Sequence, residues 1–396
     1  MDGFTFFAAK PTEEYHKIDM WLLLSILLMW GIGIFTLFVS SQGSVAQLTK
    51  RPLQLVERQL ICSAVGFLLF GFFLFLDMKV LKKLVAIIVI GSIILCILTY
   101  IPGLSVSRNG ARRWIKVPGN FTFQPSELLK FSLVLFLANY FDKQSEIINP
   151  EEKTVFPCVI CLVVFVLLVF FQKDFSTGIF IFLIGMLMFF VSGSKMLWVL
   201  PFMLIAIPAV FLMVSLESYR LERIIGFLKP DEFASAVNYQ SLNAKKAISV
   251  GGFWGCGIGK GLKKINNIPE VQADFIFAGW VEAMGFLGVI LYFILLGFFA
   301  WRGYRTSFKC PSRFSAYSCF GCVSIIFIQS LVNCMVVCGL LPTTGIPLPF
   351  FSSGGSSIIV TLAMCGFIVN SSRCEEINNE NKIINDKVEI DTLTIL

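Results

Sequence analysis

The chain has 396 residues, of which 56% are hydrophobic and only 14% are charged, with 42 Phe, a net charge of +7 and a mean hydropathy of +0.81. Apolar runs of about 18 residues or more recur along nearly its whole length, a pattern typical of membrane-spanning helices and not of a soluble multidomain protein. The one histidine, His16, lies in the polar N-terminal segment, which argues against a Ser-His-Asp relay or a multi-histidine metal site.

Ten apolar segments are candidate membrane spans. They cover about 20–40, 59–76, 84–101, 126–141, 155–171, 175–193, 196–216, 275–301, 315–339 and 357–372, the fourth being marginal in length. The predicted fold is an all-α polytopic membrane protein of about ten transmembrane helices, with a large extracytoplasmic loop, 217–274, between helices 7 and 8. The expected domains are an N-terminal segment 1–19, a membrane domain 20–372 and a polar C-terminal tail 373–396. Because residues 1–19 are polar and the run from Met20 can span, no cleavable signal peptide is expected.

The Lys and Arg residues are almost evenly divided between the two faces, so their raw tally does not orient the chain. Half of those on the face opposite the termini fall in 217–274, and long loops count little toward orientation. With that loop set aside, the charge bias predicts a multi-pass protein of the cytoplasmic (inner) membrane with both termini cytoplasmic.

Three loops are then predicted on the outer face, at 102–125, 217–274 and 340–356. The first two are basic, against the orientation bias, which indicates an anionic partner. Guanidinium groups suit phosphate oxygens and lysine acts as a point charge, although anionic lipid headgroups would explain the same residues. The candidates for binding a phosphate-bearing ligand are Arg112, Arg113, Arg220, Arg223, Lys245, Lys246, Lys260, Lys263 and Lys264. The third loop is crowded with Pro, Gly and Ser, so its backbone amides must face water, protein or a polar ligand.

The stretch "NNIPEVQADFIFAGWVEAMGF" contains two acids at the start of an apolar helix. Asp274 stands at the helix start beside the basic loop, where it is either a capping acid or a group that a polar substrate can reach. Glu282 lies about 12 Å further along the helix axis and is expected to play a supporting role through contacts with polar groups of other spans, such as Gln329 or Asn333.

A second pair of ionisable residues, Glu127 and Lys130, lies within the fourth span. The two are three residues apart on one predicted helix, just after Pro125, so they can share a face. A charge inside the bilayer is costly unless it is paired or functional, and here a structural ion pair and a catalytic role both remain open.

Five sequence blocks, in this order, resemble the SEDS family of bacterial shape, elongation, division and sporulation proteins, the FtsW, RodA and SpoVE group. They read "NGARRWI" with "FTFQPSELLKFSLVLFLANYF", "QKDFSTG", "YRLERIIGFLKP" followed by "NYQ", "GGFWGCGIGKGLKKINNIPEVQADFIFAGWVEAMGFLG" and "QSLVNCMVVCGLLPTTGIPLPFFSSGGSS". The resemblance covers about 20–372. It implies a peptidoglycan glycosyltransferase that polymerises lipid II, the undecaprenyl-pyrophosphate disaccharide pentapeptide, at the outer face of the cytoplasmic membrane. It also implies a class B penicillin-binding protein as partner, with divisome or elongasome proteins and no nucleic acid.

The resemblance also assigns residues and shows departures. The family's essential aspartate maps onto Asp274 in "QADFIF", and the matching blocks add Gln240 and Ser356 as substrate-binding candidates and Asp174 as a supporting polar residue. The departures affect fine geometry more than reaction class: Gln272 and Ala273 replace the usual His-Thr pair, Lys173 replaces a proline, and Ala283 replaces a second acid. The run "TTGIPLPFFSSGG" looks more like the FtsW and SpoVE branch than RodA.

These residues suit glycosyl transfer from a pyrophosphate donor. A pyrophosphate leaves as a stable anion, so the second carboxylate that a glycosidase uses as general acid is not required. Asp274 is the expected base, while Arg113, Arg223 and nearby lysines would bind the pyrophosphate and the lipid tail would lie in an apolar groove between spans. A divalent cation, Mg²⁺ or Mn²⁺, could accompany the pyrophosphate, although no dedicated acidic cluster is evident.

Two other classes of function use similar residues. A flippase for the lipid-linked precursor would also need phosphate-binding cations, but transporters often show internal repeats and broken midplane helices, which the sequence does not indicate. A non-catalytic scaffold for the penicillin-binding protein would leave the position of Asp274 unexplained. Glycan synthesis in detergent, without two compartments, separates the polymerase from both alternatives.

Overall fold

The computed structural model of the protein describes residues 18–48, 53–108, 111–119, 121–146, 156–193, 218–229, 236–257, 273–310 and 312–373. These residues form eleven α-helices and three β-strands. The helices are α1 Met20–Leu48, α2 Gln54–Phe75, α3 Met78–Leu98, α4 Pro125–Glu146, α5 Phe156–Phe171, α6 Phe175–Val191, α7 Ser218–Leu228, α8 Ala236–Gly251, α9 Ile276–Lys309, α10 Arg313–Val337 and α11 Gly355–Ser371. The strands are β1 Ser105–Arg108, β2 Ala111–Val117 and β3 Phe121–Phe123.

Nine of the ten predicted spans overlap a described helix. Five helices, α1, α2, α3, α9 and α10, are long and apolar enough to cross a membrane, while α5, α6 and α11 are apolar but shorter. The helix α4 has 22 residues but carries Glu127 and Lys130. The predicted seventh span, 196–216, lies outside the described residues, so the number ten remains a prediction.

The first of the three predicted outer loops contains a small sheet, so the all-α prediction is wrong there. Strand β2 pairs antiparallel with both β1 and β3, and the β1–β2 register shifts between Val106 and Ser107. Asn109-Gly110, between β1 and β2 in the sequence, is a strong hairpin signal, but a pattern of apolar runs does not contain it. The predicted loop 217–274 is likewise not a simple loop, because it contains the helices α7 and α8.

The α2 and α11 helices pack closely through small residues. An added Cβ on Gly66 would meet the side chain of Leu362, and one on Gly366 would overlap the backbone of Phe70. Glycine at such points lets two backbones approach, which is how helices pack in lipid. The lipid-facing side of the protein is apolar instead: along α3, an exposed row follows helical spacing and comprises Ile87, Ile90, Ile94 and Ile97.

The long helix α9 is broken at Gly285, where φ is +64° and ψ is −159°. Before the break, residues from Ile276 to Glu282 are buried, whereas after it Phe286, Ile290 and Ile294 are exposed on one side. At 1.5 Å per residue the part after the break is about 36 Å long, enough to cross the hydrocarbon core by itself. We therefore interpret 276–284 as a half-helix enclosed by protein and the remainder of α9 as the membrane span.

The connection between α8 and α9 fills this break. The amides of Phe286 and Leu287 donate to the carbonyls of Gly252 and Phe253, and the amides of Cys256 and Gly257 donate to α9 carbonyls in return. These four backbone bonds satisfy groups that the broken helix would otherwise leave unpaired within the protein. The break is thus a defined structural feature, because residues 252–257 form backbone hydrogen bonds with α9 on both sides of it.

Candidate active site

The segment between α10 and α11, 338–354, contains no helix or strand, and its part 346–352 runs inside the protein. Ile346, Leu348, Phe350 and Phe351 are buried, and Phe350 has a positive φ of +67°. Its backbone lies directly against Gly33 of α1, where an added Cβ would overlap the Phe350 carbonyl. A buried irregular segment is stable only when other groups form hydrogen bonds with its backbone N–H and C=O groups.

Side-chain amides provide those partners. Gln329 Nε2 donates to the Pro347 carbonyl at 2.9 Å, and Asn333 Nδ2 donates to the Ile346 carbonyl at 2.8 Å. From α2, Gln59 Nε2 donates to the Ser352 carbonyl at 3.0 Å, and the Leu348 amide donates to Ser352 Oγ at 2.7 Å. These bonds fix 346–352 between α2 and α10.

Asp274 lies against this segment. It is half-buried, and its main-chain carbonyl accepts a 2.9 Å hydrogen bond from Asn333 Nδ2. One carboxylate oxygen faces Gly345, because a Cβ added there would sit 3.5 Å from Asp274 Oδ2. The α9 N-cap position belongs to Phe275, so Asp274 lies one residue before the cap.

Asp274 differs from two other acids at helix starts in its position relative to the helix cap. Asp19 Oδ1 accepts the amides of Trp21 and Leu22, and Asp77 caps α3 by accepting the Lys79 amide at 2.8 Å. Asp19 and Asp77 therefore do what a helix-capping acid does, whereas Asp274 is outside the cap position and faces the irregular segment.

Two of the predicted substrate-binding cations contact the same segment. Arg223 of α7 donates from Nη1 to the Thr343 carbonyl at 2.9 Å. The end of the Lys245 side chain, from α8, packs directly on Gly339. Asp274, Arg223 and Lys245 thus come from three helix regions but meet one stretch, 339–345.

Two other candidates belong to a separate cluster at the sheet. Arg113 Nη1 lies 3.6 Å from Asp174 Oδ1, and Arg113 also donates to the Lys173 carbonyl. Asp174 Oδ2 accepts from Gln124 Nε2 at 3.0 Å, and the Gln124 amide donates to Ser356 Oγ at 2.8 Å. Arg113 and Ser356, predicted to bind substrate, therefore join β2, α6 and α11 in this structure; the sequence did not indicate Gln124 as their link.

The remaining candidates are less informative. Arg112 and Lys246 are exposed, and Gln240 is half-buried on α8. The backbone of Arg220 is in α7, but its side chain lies outside the described residues, as do Lys260, Lys263 and Lys264. Across the described parts of the chain no three His, Cys, Asp or Glu side chains are grouped to hold an ion, and a divalent cation at the pyrophosphate remains a prediction.

Glu127 and Glu282, the two acids in predicted spans, have different surroundings. Lys130 Nζ lies 2.9 Å from Glu127 Oε1 and donates to Gln329 Oε1 at 2.6 Å, so the predicted shared face exists and continues to α10. Glu282 is 1% exposed. The amide nitrogens of Gln329 and Asn333 bond to backbone carbonyls, and Gln329 Oε1 bonds to Lys130. The contact of Glu282 with polar groups of other spans, such as Gln329 or Asn333, stays a prediction.

Comparison with known proteins identifies similar chains. The family model described as "Cell cycle protein", for FtsW, RodA and SpoVE, matches residues 20–377. The probable peptidoglycan glycosyltransferase FtsW of Borreliella burgdorferi is 34% identical over 360 residues, 91% of this chain and 98% of that protein. Stage V sporulation protein E of Bacillus subtilis is 31% identical over 362 residues, 91% of this chain and 99% of that protein.

Two solved structures have a fold similar to that of this chain. A chain of a peptidoglycan synthase complex, described for its structural coordination of polymerization and crosslinking, matches with a TM-score of 0.75 and 26% identity, over 91% of this chain and 99% of that one. The rod shape determining protein RodA of Thermus thermophilus matches with a TM-score of 0.65 and 24% identity, over 91% and 98%. The latter likeness concerns the fold alone.

Proposed function

The chain belongs to the FtsW/RodA/SpoVE family, and from that premise we propose that this peptidoglycan glycosyltransferase polymerises lipid II at the outer face of the cytoplasmic membrane with Asp274 as its base. The relatives named FtsW and stage V sporulation protein E place it on the division-related side of the family. Both termini would be cytoplasmic, which puts the sheet, α7, α8 and Asp274 on the outer side.

The assignment of Asp274 as the base rests on the groups that surround its carboxylate. A half-buried carboxylate next to the Gly345 backbone can be reached by a polar substrate and yet is held by a fixed main-chain hydrogen bond. Arg223 and Lys245 contact the same segment. One base and nearby cations are the groups that transfer from a pyrophosphate requires.

The reaction balances with these groups. The acceptor hydroxyl oxygen attacks the anomeric carbon of the donor while its proton passes to Asp274, and the bond from that carbon to the pyrophosphate oxygen breaks. The bonding electrons leave with the pyrophosphate, whose added charge Arg223 and Lys245 stabilise. Attack from the face opposite the leaving group gives a single inversion, so an α-linked donor yields a β-linked product.

A crosslinking partner fits the same proposal. The similar chain from the peptidoglycan synthase complex comes from an assembly in which polymerization and crosslinking are coordinated. We therefore place a class B penicillin-binding protein beside this chain, with divisome proteins around it. The break in α9 does not favour a flippase, because the chain's own segment 252–257 occupies it.

The test is the change Asp274→Asn in purified protein bound to its cognate transpeptidase and supplied with lipid II. The amide keeps the shape of the carboxylate but cannot take a proton, so glycan synthesis should fall by about 100-fold or more. The matched control is Asp77→Asn, which alters a helix-start acid that only caps α3. Full polymerisation by the Asp274→Asn protein would refute the assignment of the base.

A further inference from the structure

A continuous row of buried polar groups connects α4 to Asp274. Glu127 and Lys130 pair on α4, and Lys130 reaches Gln329 on α10. One turn further along α10, Asn333 contacts both Asp274 and the irregular segment. Glu127, Lys130, Gln329 and Asn333 are each no more than 3% exposed as whole residues, so no bulk water competes for their bonds.

Gln329 and Asn333 lie four residues apart, on one face of α10. Their amide nitrogens bind the adjacent carbonyls of Pro347 and Ile346, at 2.9 and 2.8 Å. Asn333 Nδ2 bridges Ile346 and the main chain of Asp274, since it also donates to the Asp274 carbonyl at 2.9 Å. A single nitrogen therefore sets the separation between the carboxylate-bearing residue and the backbone it faces.

Lys130 fixes the orientation of the first amide. Because its ammonium group bonds to Gln329 Oε1 at 2.6 Å, the nitrogen of that amide must point toward Pro347. The buried charge of Lys130 is in turn balanced by Glu127 at 2.9 Å. A buried ion pair is weak evidence for added stability, but this one determines which way the Gln329 amide points.

We propose that Asn333 and Gln329 are positioning residues for the glycosyl transfer: their amides hold segment 345–347 against Asp274, and this contact sets the angle at which the carboxylate meets the acceptor hydroxyl. The inference rests on the proposed role of Asp274. It assigns to the intramembrane amides a task in the chemical step and not only in folding, because a shift of about 1 Å in a reacting group can cost on the order of 100-fold in rate.

The chain offers a matched control for Asn333. Asn370, in the last turn of α11, also bridges two carbonyls with one amide nitrogen, those of Phe73 at 2.8 Å and Leu76 at 2.7 Å. It is similarly buried, but it lies about 21 Å along α11 from Ser356, toward the opposite end of the helix. Asn333→Asp and Asn370→Asp make the same isosteric change, placing a carboxylate oxygen against two carbonyls.

The experiment compares the two variants in the complex with the transpeptidase, using lipid II polymerisation and hydrogen exchange. We expect Asn333→Asp to lower kcat by about 10- to 100-fold, with KM changed much less, and to speed amide exchange in 341–352. Asn370→Asp should speed exchange near residues 73–76 and leave kcat of the folded protein at the parent level. Equal kcat losses in the two variants, or an unchanged kcat in Asn333→Asp, would overturn the proposal.

A second variant keeps the test decisive if Asn333→Asp does not fold. Gln329→Glu retains an oxygen that accepts from Lys130 and replaces the donor to Pro347 with a carboxylate oxygen, so kcat should fall and exchange at 345–348 should rise. A parent-like kcat in this variant would also overturn the proposal. Activity retained by Asp274→Asn would instead refute the proposed base, while the exchange data would still show whether the amides hold the segment.

Discussion

Two adjacent lysines on α8 show how position separates substrate-binding residues from surface charge. Both side chains are exposed, but the end of Lys245 packs on Gly339, in the stretch 339–345 that meets Asp274, whereas the Lys246 backbone carbonyl accepts from Ser249 Oγ. Their charge is identical, and from the sequence both are candidates for the pyrophosphate. The structure places only Lys245 against that segment.

Changing Lys245 to Met should therefore weaken lipid II binding. A charge-assisted hydrogen bond is worth roughly 1.5–3 kcal/mol, so its loss should raise KM by about tenfold or more. Steady-state polymerisation at several lipid II concentrations measures this effect, and Lys246→Met is the matched control. Equal KM values for the two variants would show that the cations act only as a diffuse surface charge.

The elements of the fold differ in how well the sequence indicates them. Nine of the ten predicted apolar runs coincide with described helices, because a bilayer imposes a minimum length on any span. The β1–β2 hairpin, α7 and α8 were missed because helices and strands outside the bilayer are short and do not need that length. The site was predicted as Asp274 plus outer cations, but its link through Asn333 was not, since nothing in a single sequence shows that an amide on α10 meets residue 274.

The break in α9 was also missed, because Gly285 lies in an unbroken apolar run. Its φ of +64° is accessible to glycine, and a Cβ there would overlap the backbone of Gly255. The half-helix that follows Asp274 thus depends on one residue without a side chain. Since the docked segment 252–257 connects α8 to this break, the position of Lys245 depends on it as well.

Gly285→Ala should accordingly destabilise the site by several kcal/mol, because the clash is with backbone that cannot rotate away. Thermal unfolding in detergent and lipid II polymerisation should both decline. Gly297→Ala is the control on the same helix: a Cβ there meets nothing within 4 Å, so this change should be neutral or stabilise by up to about 1 kcal/mol. Similar unfolding temperatures for the two variants would contradict a required break.

At the scale of the whole molecule, every assignment depends on which face of the membrane Asp274 occupies. The carbonyl of Asp274 is bonded to Asn333, five residues before Cys338 at the end of α10, so the two share one side. Cys310, which bonds to the Ser371 carbonyl, lies between α9 and α10 at their opposite ends. The two thiols therefore mark the two faces.

Chains that retain only Cys338 or only Cys310 should label from opposite sides. A membrane-impermeant maleimide added to intact spheroplasts should modify Cys338, which is exposed, and should reach Cys310 only after the membrane is opened. The thiolate is the reactive form of cysteine, and the thiolate fraction rises with pH. Cys338 should therefore label faster at about pH 8.5 than at about pH 7. Labelling of Cys338 only in opened membranes would place Asp274 on the cytoplasmic face, where a base could not meet an exported lipid-linked substrate.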